Sequence, residues 1–451
     1  MKVSVLPIND NQNGWLNLLG PLPKANPLQG DHRFESAVIG AGYTGLAAAR
    51  RLGELQPDER VVLIDAGRIG NNAAGRSSGF SIDQAHNIRA KNFAQALEHE
   101  KQQIRLNRAG QQALRQAINE HNIDCDWQDC GKIHGAGTDK GRRLLRQFTS
   151  NLDLMDAPYE WYDAQKMKSI TGLDFYQEGL FTPGTQQVQP AAMVRGLAES
   201  LPSNVTVFED SPITEVHYGA PHVLTSSAGT VRCNQLLLAN NGFGTGFGFY
   251  QDHVMGLPTY ASMSRELTGE ELEILRGEET WGVIPAHPFG STIRRIRENR
   301  ILVRNIYAYA KNHNPTEAHR IWARKQHRKS FLNRFPMLAH VEFEWSWGGS
   351  LCLSDNGNPI FGALAKNVYG SLCHNGVGVA RGTICGKLLA EQVAGEDSDL
   401  LQIMLDADPT KPYRSGYCKL VLRSTWPIGD VRRDWSFKML SLYRRKVILQ
   451  T

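Results

Sequence analysis

The chain has little cysteine, no long apolar run, no internal repeat and no low-complexity tract. Its seven cysteines (Cys125, Cys130, Cys233, Cys352, Cys373, Cys385 and Cys418) are odd in number and scattered, which is no basis for a disulfide framework. The one close pair, Cys125 and Cys130, has no second pair to complete a zinc site. The histidines, among them His134, His217 and His287, fall at no metal-ligand spacing, so no metal is expected. No segment approaches the roughly 20 consecutive apolar residues that span a bilayer. Met1 to Asp10 lacks a cationic start followed by an apolar core, the mark of a secretory signal. A reduced, cytoplasmic protein without a transmembrane segment is the expectation.

Strong charge of either sign is also missing. The net charge is +5, and 41% apolar with 21% charged residues is ordinary globular composition that argues against disorder. The span Ser415–Thr451 holds eight basic against two acidic residues, which alone accounts for the excess. That end is either a solvated basic face or a peripheral contact with an anionic membrane surface. Basic residues are not interleaved with aromatics over the body, so nucleic acid is not an expected partner.

At 451 residues, the chain exceeds what one hydrophobic core usually serves. Residues 1–32 read as an irregular arm, whose Trp15, Leu16, Leu18 and Leu19 need a body to pack on. Ser36–Ile39 is a short apolar strand, Gly45–Leu55 an amphipathic helix and Arg60–Asp65 a second apolar strand ending in an acid. Lys91–His121 has the spacing of a long amphipathic helix. Helices are predicted over Pro190–Ser200, Ala318–Phe335 and Gly376–Val393. Strands are predicted over Val205–Phe208, Ile213–Tyr218, His222–Ser226, Cys233–Ala239, Ile293–Ile296 and Ile301–Tyr309, with a turn at Gly229-Thr230. The fold class is α/β: a Rossmann-type nucleotide-binding domain built from discontinuous segments (33–90, 186–246 and 346–396), plus an antiparallel-sheet substrate domain (91–185 and 247–345). A basic extension follows from 397 to 451.

Gly40-Ala-Gly42-Tyr43-Thr44-Gly45 lies between the first strand and its helix, the context that gives a glycine motif its meaning. Gly40 permits a tight turn. Gly42 lets a pyrophosphate approach the N–H groups at the helix N-terminus, where the helix dipole favours an anion. Gly45 allows close packing of helix on strand. Asp65, 20 residues beyond Gly45, is placed with Ala66 to take ribose hydroxyls and would repel a 2′-phosphate, so NADP is disfavoured. FAD and NAD share this motif. The small-residue run Asn71-Asn-Ala-Ala74-Gly75-Arg76-Ser77-Ser78-Gly79-Phe80 bears on that choice: it either passes close to a flat ring or is a surface loop.

Together these residues resemble the D-amino-acid-oxidase-type superfamily of FAD enzymes, which includes sarcosine and glycine oxidases. Four segments match in order: Ala37–Gly45 with Asp65; Ala73–Gly79, close to the loop of the γ-glutamylputrescine oxidase branch; Gly229–Gly242; and Trp347–Gly349 with Pro359–Gly362 and Gly376–Gly378. The likeness spans roughly residues 36 to 395. It implies FAD in extended form, with adenine near Asp65 and Ile213. Ala239, Asn240 and Gly242 would close on the flavin, and the ring would lie between the 75–79 loop and the 374–378 loop. Gly376, Val377 and Gly378 would lead a helix whose N-terminus stabilises negative charge on the reduced flavin. The sequence departs from the family in two places: His374-Asn375-Gly376 stands where Gly-His-Gly is frequent, and Arg304-Asn305 where relatives tend to have paired glycines.

The resemblance implies hydride removal from the carbon beside nitrogen to flavin N5, giving an imine that hydrolyses. The substrate is then a small amine or amino acid, and the acceptor oxygen. A glycine- or D-amino-acid-type dehydrogenase passing electrons to a quinone is a second reading, and a non-catalytic electron-transfer subunit a third. Arg294 and Arg304 are candidate clamps for a substrate carboxylate, or else members of a surface strand of alternating charge. Tyr307 and Tyr309 line a pocket or pack on the sheet. His374 and Asn375 sit where they could bond flavin or substrate. Cys352 lies near the position at which some members tether the cofactor.

Overall fold

The computed structural model describes residues 1–8, 10–84, 97–287 and 289–413. The basic span Ser415–Thr451, Cys418 and the start of the predicted 91–121 helix lie outside them. Ten helices and twenty strands occur among the described residues.

The first strand, Gly30–Ile39, is longer than its apolar run. Its front half pairs residue for residue with Gly229–Leu238. Ladder bonding therefore keeps Asp31, Arg33 and Glu35 extended although they are not buried. The same pairing makes Gly229 and Thr230 the start of a strand rather than the predicted turn; the turn lies just before, where Ser226 N–H donates to Gly229 O at 2.9 Å. Around this pair the sheet runs Ile360–Ala365, Val368–Leu372, Gly229–Leu238, Gly30–Ile39, Val61–Ile64, Val205–Phe208. Along this path every neighbour pair is parallel except the first, and two short strands, His222–Thr225 on Gly229–Leu238 and Glu215–His217 beside it, add antiparallel pairs. The C-terminal ends of the two central strands, Ser36–Ile39 and Leu236–Leu238, are buried on both sides, as parallel strands under helices must be. Helices Tyr43–Leu55, Ala380–Ala394 and Pro190–Glu199 cover one face through Val38, Leu46, Leu52, Leu63 and Leu389. Phe34, Ile39, Val62, Leu224 and Leu236 fill the other.

Four parallel strands end along one edge, leading into Gly40, Asp65, Ala239-Asn240 and Cys373-His374. In an open parallel sheet that edge is where ligands bind.

A second eight-stranded sheet stands beside the first. It was expected to be antiparallel and is mixed: Trp281–Pro285 pairs parallel with Lys132–Ala136, and the remaining pairs are antiparallel. Phe343–Gly349, divided by the expected boundary at 346, lies wholly in this sheet. Leu97–Glu120, counted with the substrate domain, packs on the Ala380–Ala394 helix, so closely that a Cβ on Gly110 would sit 2.1 Å from Ala380 O. Among the described residues no helix is long and apolar enough to cross a membrane.

Candidate active site

The turn after the first strand is shaped by close backbone approach. Gly40 has φ +102, a region that L side chains rarely adopt, and an added Cβ would lie 2.9 Å from Asn240 Cα. A Cβ on Gly45 would lie 1.7 Å from Gly40 O. Gly42 differs: its only neighbour within 4 Å would be Ala74 Cβ, at 3.6 Å. The Tyr43–Leu55 helix starts from Gly42 with no side-chain cap, so its first N–H groups are left for an anion.

Asp65 is buried and already engaged. One oxygen accepts from Ala41 N–H at 2.8 Å and Asn72 Nδ2 at 3.2 Å, and the other from Gly67 N–H at 3.0 Å. Burial pushes its carboxyl up, and these donors oppose that shift. A carboxylate has about four acceptor sites, so one remains for a hydroxyl. Asn72 also donates to Ala41 O at 3.2 Å, which joins both strand ends through a residue that the sequence reading placed in the loop but not in the site.

The 73–79 loop is held from three sides. Arg76 does not offer its guanidinium to a ligand: it donates to Asn71 O and Oδ1 (both 2.7 Å), Asp10 Oδ1 (2.9 Å), Asp10 O (2.7 Å) and Gly348 O (3.1 Å). The arm adds Asn13 Nδ2, donating to Gly70 O and Gly75 O, and Trp15 Nε1, donating to Ser77 O at 2.8 Å. Trp15 is 1% exposed. The apolar residues of the arm foretold packing; nothing in them foretold that the target is this loop.

Arg294 supplies the third side. The reading of it as a carboxylate clamp does not fit: at 1% exposure, its Nη1 donates to Ser78 O (2.9 Å), Gly79 O (3.1 Å) and Val188 O (2.9 Å). Trp15 and Phe80 rings lie 5.3 and 5.5 Å from the guanidinium carbon. Burial lowers its pKa to about 10, still charged at neutral pH. Arg304, one cross-strand pair away, is half-buried and lies 4.7 Å over the Tyr307 ring.

Facing the first turn, His374 Nε2 lies 2.8 Å from Thr44 Oγ1. Burial, then the charge of Arg381, drives its pKa down to about 3, so the ring is neutral. Asn375 turns inward: Oδ1 accepts from Ser354 N–H at 2.9 Å, and Nδ2 donates to Gly357 O and Cys373 O at 3.0 Å. Its amide therefore shapes the loop. Asn375 and Gly376 have φ +53 and +85, which is why the helix predicted from Gly376 begins at Ala380. Val377 and Gly378 stay in the turn, and a Cβ on Gly378 would meet nothing within 4 Å. Cys352 Sγ donates to Asn241 Oδ1 at 3.1 Å and is 1% exposed. Ile213 is buried in the cluster behind Asp65.

Residues 35–392 match the model of the DAO family, FAD dependent oxidoreductase. The chain belongs to that family. It is an FAD-dependent oxidoreductase with the mixed α/β fold that goes with it. A probable oxidoreductase OrdL of Rhizobium meliloti is 28% identical over 388 residues, covering 83% of this chain and 86% of that protein. The gamma-glutamylputrescine oxidoreductase of Escherichia coli is 25% identical over 366 residues, covering 80% and 83%. Among solved structures, glycine oxidase from Geobacillus kaustophilus superposes with a TM-score of 0.67 at 19% identity, covering 84% of this chain and 99% of that one. L-proline dehydrogenase from P. horikoshii gives 0.63 at 14% identity, covering 83% and 96%.

The DAO-family cofactor suits what the edge offers. Besides the uncapped helix and the open side of Gly42, several buried polar atoms there have no hydrogen-bond partner among the described residues: Tyr43 Oη, Asn72 Oδ1, Asn240 Oδ1 and His374 Nδ1. A buried polar atom costs free energy until it is paired. A nucleotide with phosphate, ribose and ring heteroatoms offers such partners.

Proposed function

We propose that this enzyme oxidises the carbon–nitrogen bond of a small amine or amino acid and that oxygen reoxidises it. One observation carries the reading: the dinucleotide-type turn, through Gly42 beside Ala74, and the facing sheet, through Arg294, converge on the same small-residue loop. Bound FAD supplies the hydride acceptor for the carbon beside nitrogen, and the imine product hydrolyses in water.

The chain's own residues bind, orient and exclude water. In this reading Gly40, Gly42, Tyr43, Thr44 and Gly45 hold the pyrophosphate. Asp65 and Ala66 take the ribose, and Ile213 backs the adenine. Ala74, Gly75, Ser77, Ser78 and Gly79, together with Gly376, Val377 and Gly378 and with Ala239, Asn240 and Gly242, would hold the flavin ring. Arg76, Arg294 and Asn375 position those loops. His374, neutral and hydrogen-bonded to Thr44, fixes one loop against the other and keeps Nδ1 for a partner. A cation near the substrate lowers the pKa of its amine, and the neutral amine is the form that can lose hydride; Arg304 serves this role.

The test is anaerobic mixing of the purified protein with a panel of amines and amino acids while flavin absorbance near ~450 nm is followed. Bleaching by at least one member, then recovery with peroxide release on admitting air, is the expected result. Bleaching that air does not reverse but a quinone does would move the acceptor to quinone. A flavin that no amine bleaches would overturn the reading.

A further inference from the structure

Asn241 holds two cysteines of other segments side by side. Its Oδ1 accepts from Cys352 Sγ at 3.1 Å and from Cys373 N–H at 3.2 Å. Cys352 opens the short Cys352–Leu353 strand, and Cys373 follows the Val368–Leu372 strand. The two thiols are themselves in hydrogen-bonding contact, at 1% and 0% exposure. Cys373 Sγ also lies 3.9 Å from Asn375 Oδ1, on the loop that carries His374. Cys373 has φ +63, a left-handed backbone that costs a side-chain-bearing residue free energy and persists only where its surroundings enforce it. The proposed reaction uses neither thiol.

Two thiols in contact can be oxidised to a disulfide in two steps. Peroxide first converts one thiol to a sulfenic acid and leaves as one water. The second thiol then attacks that sulfur, and its proton departs with the displaced hydroxide as a second water. In sum, two thiols and one hydrogen peroxide give one disulfide and two waters. Each sulfur gives up one electron, and the two peroxide oxygens take up both electrons and both thiol protons. The first attack needs the more thiolate-like sulfur. Cys352 keeps its proton, since the neighbouring Cys373 and then burial push its thiol up, so that step falls to Cys373. Cys373 stands one residue before His374, at the edge where oxygen-linked turnover would release peroxide.

We propose that Cys352 and Cys373 form a dithiol site that hydrogen peroxide closes to a disulfide, locking together the segments that meet at Asn241. The inference rests on the oxygen-linked reading for the natural source of its oxidant, and on the side-chain arrangement alone for the site. Closure takes away the proton that Cys352 donates to Asn241 and replaces it with a covalent tie between the Cys352–Leu353 strand and the loop after Val368–Leu372. A tie of this kind restricts the unfolded chain and so stabilises the folded one.

The test treats the full-length flavoprotein with graded hydrogen peroxide, unfolds it in an alkylating agent and digests it with trypsin, which cuts between the two cysteines at Lys366. Exposed Cys130 reports the effective dose. The expected product is a Cys352–Cys373 cross-linked peptide, two hydrogens lighter than its two parts, which dithiothreitol abolishes. Both cysteines still alkylated at a dose that consumes Cys130 overturns the proposal. Peroxide should also raise the melting temperature of the wild type by about 2–5 °C, reversibly with dithiothreitol, and leave Cys352→Ser and Cys373→Ser unshifted. A cross-link without that rise overturns the locking role. The wild-type peptide map needs no variant to fold and no amine to react. If no amine bleaches the flavin, the oxidase reading falls, while added peroxide still decides the site.

Discussion

Thr44 Oγ1 and His374 Nε2 lie 2.8 Å apart, in a buried hydrogen bond between residues 330 positions apart in the chain. It ties the first turn of the Tyr43–Leu55 helix, within the Gly40–Gly45 segment, to the loop that follows the Val368–Leu372 strand. Two strand ends far apart in the chain are thereby pinned side by side.

Removing that hydroxyl by Thr44→Val should cost about 1–3 kcal/mol, because a buried imidazole nitrogen loses its partner. Urea denaturation of wild type and variant checks it. The native ring is neutral down to about pH 3, whereas the unfolded chain takes up the proton near 6.5. The unfolded state therefore binds more protons between these values. The His374 contribution is complete above about 6.5 and is lost as pH falls toward 3, about 2 kcal/mol by pH 5. In His374→Gln this part of the pH dependence should vanish; an unchanged slope would contradict the assignment.

Gly45→Ala should be far more damaging than Gly269→Ala. A Cβ at 45 would lie 1.7 Å from Gly40 O, whereas at 269 it meets nothing within 4 Å. The first change forces strand and helix apart and should abolish flavin retention. The second lies in a helix first turn and should alter stability by less than about 0.5 kcal/mol. Melting curves and flavin content of both variants make the comparison.

Much of this arrangement could be read in the sequence, and the boundary of what could is physical. The Ser36–Ile39 and Val61–Ile64 strands and the glycine turn are local patterns, as is the Glu317–Arg334 helix predicted within a residue of its ends. The likeness running from Ala37 to Gly378 then brought distant segments to one cofactor. Long-range partnerships were not legible. Nothing in the spacing of Arg294 says that its Nη1 will meet three carbonyls from two other segments, and a buried clamp of backbone looks in sequence like an exposed charge on a strand. The start of the Ala380–Ala394 helix was missed for a local reason, the left-handed φ of Asn375 and Gly376.

Arg294→Gln should destabilise the fold by about 3–5 kcal/mol, since three buried carbonyls lose a charged donor. Trp15→Ala should cost about the same through a core cavity. Both side chains bear on the 77–79 loop, so their effects should not add; a double-mutant cycle measures the coupling, which is expected at about 0.5–3 kcal/mol. Strict additivity would mean that they act on separate parts of the structure.

FAD should leave the protein on acid precipitation and be recovered in the supernatant. Cys352 is buried with its thiol donating to Asn241, and the neighbouring Cys373, then burial, holds that thiol well above the ordinary range. A thiol so placed is poor in the thiolate form that bonds carbon. Flavin fluorescence in the pellet, absent from Cys352→Ser, would show a covalent link instead.

The most direct measurement is the flavin content of the full-length protein. The account predicts about one FAD per chain, displaced competitively by ADP, because the proposed seat of the ADP half is the Gly40–Gly45 turn. A preparation with no absorbance in the visible, which neither takes up added FAD nor binds ADP, would contradict it.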